Sequence, residues 1–103
     1  MANYLLVYHG GAMPEGEAAM AEVTKAWTEW FGQLGDALVD GGNPASNVRE
    51  IASNGAVTTV QNGPTGYSII KADDIDGAVA LAKGCPVLQG GASLQVVETF
   101  NAM

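Results

Sequence analysis

Asn3-Tyr4-Leu5-Leu6-Val7-Tyr8-His9, near the N-terminus, is the stretch whose reading decides the architecture. Tyr, Leu and Val favour extended backbone, and Gly10-Gly11 ends the run. Successive side chains of a strand point to opposite faces. Tyr4, Leu6 and Tyr8 therefore share one side, and Leu5, Val7 and His9 share the other. Both sides are apolar, which predicts a strand covered front and back.

Downstream, Pro14-Glu15-Gly16-Glu17 reads as a helix start, with Pro suited to the first turn and acids favourable at the positive end of the dipole. Met20, Val23, Trp27, Trp30, Phe31 and Leu34 then trace one helical stripe, and Gly35 is its expected stop. A short strand, Ala37-Leu38-Val39-Asp40, runs into the loop signal Gly41-Gly42-Asn43-Pro44. Val48 to Ala52 and Ala56 to Val60 flank Ser53-Asn54-Gly55, a strong hairpin signal. A turn over Gln61 to Gly66 leads to the strand Tyr67 to Ala72. Asp73-Asp74 caps a second helix, with Ile75, Ala78, Val79 and Ala82 at helical spacing and Lys83-Gly84 closing it. The last strand is Ser93 to Glu98.

Strands at both ends with two helices between them predict an α+β fold. It is the ferredoxin-like βαββαβ plan with an inserted β-hairpin, an antiparallel sheet carrying both helices on one face. The opposite face is then bare, and the first strand is apolar there too. A symmetric homodimer through that open sheet face is the expected solution.

At 103 residues, the chain makes one domain spanning 1–103. Hydrophobic residues at 48% and charged residues at 15% are incompatible with disorder. The net charge of −7, with Lys25, Arg49, Lys71 and Lys83 scattered along the chain, speaks against nucleic acid and anionic membrane as partners. No apolar run is long enough to span a bilayer, and the N-terminus reads as a strand and not a signal peptide. The single cysteine, Cys85, excludes an internal disulfide, so a cytoplasmic location is the expectation. Neither a metal site nor a bound cofactor is expected: the glycine pairs lack a nucleotide-binding context, and Asp73, Asp74 and Asp76 read as helix capping.

Four stretches carry a resemblance. They are Tyr4-Leu5-Leu6-Val7-Tyr8, the turn Asn62-Gly63-Pro64, the run from Gly66 to Ala78, and Lys83-Gly84-Cys85-Pro86 ahead of Gly90-Gly91. In these and in element order the chain resembles the YCII-related proteins, small bacterial domains whose family fold is a dimeric ferredoxin-like α/β barrel. The chain departs from the family at two places. Asn62 and Thr65 stand where one branch has the Asp and Phe of an Asp-Gly-Pro-Phe turn. Another branch is suspected of catalysis through a first-helix His and an Asp before a Pro; here the first helix has no His, and Cys85 precedes Pro86. The resemblance implies fold and dimer far more than any reaction.

Candidate chemistry is sparse. His9, the only histidine, sits at a strand end beside glycines, placed either as a general base or as a cap on a carbonyl. Asp36 and Asp40 border the second strand as possible neighbours of His9. Cys85 follows a helix C-terminus, which disfavours a thiolate and suits a buried structural thiol. Tyr8, Trp27, Trp30, Tyr67 and Lys71 are the candidate ligand contacts, in a pocket near the junction of first helix, sheet and dimer interface; packed core and a surface lysine are the competing readings. The expected function is small-molecule binding by a homodimer, the ligand an aromatic or carboxylate compound. The alternatives are a cofactor-free enzyme, lyase or oxygenase-like, using His9 as base, and a purely structural dimerisation module.

Overall fold

A computed structural model describes residues 1–11 and 14–102. It contains β1 (Ala2–His9), α1 (Gly16–Leu34), β2 (Leu38–Asp40), β3 (Val48–Ile51), β4 (Val57–Val60), β5 (Pro64–Ala72), α2 (Ile75–Ala82) and β6 (Ser93–Glu98). Short 3₁₀ turns cover Gly35–Ala37 and Pro86–Gly90. The main sheet has the order β2-β5-β1-β6 with antiparallel neighbours, and β3 and β4 pair in a separate two-stranded sheet. The chain is thus α+β with two helices and antiparallel sheets, compatible with a ferredoxin-like fold.

The alternation read in β1 sets the layers. Tyr4, Leu6 and Tyr8 are buried, and β5 buries Gly66, Ser68, Ile70 and Ala72 on the same side. Trp30 and Leu34 of α1 and Ala78 and Ala82 of α2 join them in one core, so both helices lie on that face. Trp30 is fixed further by an indole N–H donated to the Leu81 carbonyl at 3.2 Å. Its ring also explains Gly84: a Cβ there would come within 3.2 Å of the indole. Asp74 caps α2 as expected, accepting from the Gly77 N–H at 2.7 Å.

Among the described residues, no helix lies over the other face. The cross-strand rows Ile69–Leu5–Val97 and Tyr67–Val7–Gln95 lie there with Asn3, His9 and Lys71. Overall extents of 44 × 38 × 18 Å match one helix layer on one sheet. The radius of gyration is 15.1 Å, against about 13 Å for a rounded domain of this length.

Several boundaries differ from expectation: Ala37, Ala52 and Ala56 lie just outside β2, β3 and β4. Pro14 lies ahead of α1, which begins at Gly16 with φ +84, so the proline is not in the first turn. β5 starts at Pro64, because a proline without an N–H fits the first position of a strand, here opposite the irregularity at Tyr8/His9. Pro86–Gly90, for which the sequence suggested no element, form a 3₁₀ turn.

Candidate functional site

Three aromatic rings on two elements form the best-built recess. Helical spacing puts Trp27, Trp30 and Phe31 together, with ring centroids 5.6 to 5.7 Å apart. Tyr8, on the helix-facing side of β1, meets Trp27 edge-on at 5.7 Å. Tyr8, Trp27 and Phe31 then line a cavity of about 370 Å³, closed by Val23, Val87 and the loop Gly41–Pro44 against the start of β5. None of its lining side chains is charged.

The loop is held by backbone pairing and by a buried relay. Pro44 bridges to Gly66, the Tyr67 N–H reaches the Asn43 carbonyl at 3.3 Å, and the Ala45 N–H reaches the Thr65 carbonyl at 3.0 Å. Tyr8 donates its hydroxyl to Ser68 Oγ at 2.7 Å, and Ser68 donates on to the Gly41 carbonyl, also at 2.7 Å. Ser68 is fully buried, and among the described residues no buried side-chain nitrogen or oxygen lacks a partner. Gly42, at φ +76, touches β5 so closely that a Cβ would overlap the Tyr67 carbonyl at 1.7 Å. Only glycine fits there. Asn43 Nδ2 lies 3.5 Å from the Tyr67 hydroxyl at the rim.

Burial pushes the Tyr8 phenol far above its ordinary value, against a partial offset from the Ser68 hydrogen bond. Burial likewise raises the Cys85 thiol, with its bond to the Val87 backbone pulling the other way. Both groups are neutral at pH 7 and unsuited to act as base or nucleophile there. Cys85 is free and buried, the burial its position after α2 suggested.

The candidate residues do not form one site. Tyr8, Trp27 and Tyr67 line the recess. Trp30 is 3% exposed and belongs to the core behind it. Lys71 is on the bare face, half-buried and opposite Asn3 of β1. His9 is on that face as well, its Nε2 3.1 Å from Gln95 Oε1, and it lines a separate depression of about 370 Å³ with Gln61, Asn62, Gly63 and Ser93. Neither Asp36 nor Asp40 is brought to it: β2 is two strands away at the sheet edge, and Asp40 accepts from the Gly42 N–H at 2.8 Å. Gly41, Gly42, Asn43 and Ser68 were not among the expected site residues. The signal available for Ser68 was a lone hydroxyl on the otherwise apolar buried side of its strand.

A larger cleft of about 780 Å³ runs between α1, the 44–46 loop and Pro86–Gly90, beside Gly10 and Gly11. No group of three or more His, Cys, Asp or Glu that could hold a metal is found among the described residues. Nor is any described helix long and apolar enough to cross a membrane. Comparison with protein-family models and with curated proteins returns no match.

Proposed function

We propose that the chain is a homodimeric ferredoxin-like domain of the YCII-related kind, a dimeric α/β barrel, which binds a small, uncharged, planar molecule in the Tyr8–Trp27–Phe31 recess. The observation that carries the binding reading is the recess itself, three aromatic rings facing a glycine-rich loop with no charge among its lining side chains. Apolar walls with a few polar groups at the rim suit flat small molecules. Asn43, in the loop that closes the recess, would supply the directional hydrogen bonds. A carboxylate ligand is disfavoured, because no cation lines the recess and the chain carries −7 overall.

Surface area supports the dimer. A folded monomer of 10.5 kDa exposes about 5,400 Å², whereas this chain exposes 7154 Å². The excess, about 1,700 Å² per protomer, is of the order that obligate homodimers bury. Charge placement agrees: β1, β5 and β6 put no carboxylate on the bare face, although the chain has 11. Depletion of charge is what the core of an interface needs.

Intrinsic fluorescence tests the binding reading, since Trp27 lines the recess and the chain has 2 tryptophans. A panel of uncharged aromatic metabolites should contain compounds that shift the emission and raise Tm. Ligand at about 100 times its Kd adds about 2.7 kcal/mol. Trp27→Leu should abolish the response. A panel that leaves both signals unmoved in the unmodified protein would count against the reading. A His9-based enzyme would instead place its substrate at the depression beside Gln95, on the opposite face.

A further inference from the structure

The β3–β4 hairpin stands apart from the main sheet, pairing only within itself as a two-stranded sheet. Two strands alone are marginally stable in water. Its base is anchored: Val48 packs so tightly on Gly63 that a Cβ at 63 would come within 2.6 Å of it. The far end has no such support. Ile51 and Val57 are cross-strand partners there, 71% and 61% exposed. They form one apolar knob, next to the Arg49–Thr59 pair on the same side of the ribbon.

We propose that this hairpin is a dimer arm, with the Ile51–Val57 knob covered by a second copy of the chain. The inference rests on the dimer proposed above, and it follows from the size of that interface. Four strands spaced about 4.8 Å apart, averaging about 21 Å in length, make a plane of only about 400 Å². A stable standard interface buries about 800 Å² per partner. The surface excess of about 1,700 Å² is therefore more than a flat sheet face accounts for, and the projecting ribbon carries Ile51 and Val57, the most exposed large apolar side chains on any described strand.

Sedimentation equilibrium over a concentration series, with Ile51→Thr/Val57→Thr beside the unmodified chain, tests this. Thr keeps β propensity, and both sites are exposed, so far-UV circular dichroism should be unchanged. The dissociation constant should rise on the order of 100-fold, because four apolar side chains per dimer lose their cover. Independently of any variant, amide exchange over residues 48–60 of the unmodified chain should slow as protein concentration passes through that constant. A dimer with the same dissociation constant in both proteins, or hairpin exchange indifferent to concentration, overturns the arm while leaving the sheet-face dimer standing. An unmodified chain that sediments as a monomer throughout overturns both.

Discussion

The Tyr8–Ser68–Gly41 relay ties the recess wall to the core, and a double-mutant cycle measures it. Ser68→Ala removes the acceptor for the Tyr8 hydroxyl and the donor to the Gly41 carbonyl. Tyr8 is 5% exposed, so its O–H is left unpaired out of water, at about 1–3 kcal/mol. Gly41 is only half-buried and can recruit solvent, adding about 0.5 kcal/mol. Tyr8→Phe is milder: Ser68 keeps its bond to Gly41 and the loss is one net hydrogen bond, about 1 kcal/mol. In Tyr8→Phe/Ser68→Ala no buried donor remains unpaired, so the double variant should be no worse than Ser68→Ala alone. The coupling energy should be about 1–2 kcal/mol. Guanidinium denaturation followed by circular dichroism gives the four stabilities, all at one protein concentration so that any self-association enters each equally. Additivity within about 0.3 kcal/mol would refute the relay as an energetic unit.

Three further outcomes follow from the same geometry. Gly42→Ala should destabilise by at least about 2 kcal/mol, because the left-handed φ alone costs about 1–2 and the Cβ must also clear the Tyr67 carbonyl; a Tm within a degree of the unmodified chain would contradict the close approach. Stability should be flat from pH 6 to 8 and fall above about pH 9. The fold holds the Cys85 and Tyr8 protons above their ordinary values of 9.0 and 10.0, while the unfolded chain releases them there; melts unchanged to about pH 10.5 would refute that sign. His9→Gln should alter stability by less than about 0.5 kcal/mol and leave binding in the aromatic recess intact, a loss of binding being the contrary result.

Local patterns proved legible and long-range pairings did not. Alternation in β1 separated Tyr4, Leu6 and Tyr8 from Leu5, Val7 and His9 without saying which set the helices cover, and Asn54-Gly55 placed the hairpin, because each signal is written within a few residues. Periodicity also found the stripe of α1, but it cannot say how far cover extends: Met20 and Val23 are 50% and 39% exposed, while Trp30 and Leu34 are buried. The recess needed strand register. Tyr8 and Ser68 are 60 residues apart and meet only because Leu6 pairs with Ser68 and Tyr8 with Gly66. Gly41-Gly42-Asn43-Pro44 read correctly as a loop, yet its function as a wall depends on Gly42 lying against β5. Grouping Trp30 and Lys71 with Tyr8 failed to foresee that one is core and the other faces the opposite side.

Where the charge lies decides how such a chain can meet a copy of itself. At −7 per protomer, two copies repel at long range. The sheet face that they would share offers Lys71 and His9 but no carboxylate from β1, β5 or β6. Asp40, on the edge strand opposite Ile69, turns its carboxylate back to the Gly42 N–H. Attraction is thus apolar and short-ranged, and repulsion is ionic and diffuse, so salt should act on the repulsion alone. Moving from about 10 mM to 150 mM salt shortens the screening length from about 30 to 8 Å, and the dimer should tighten a few-fold. A dimer that weakens tenfold over that range is held by ion pairs, and the bare apolar face is then not where the two copies meet.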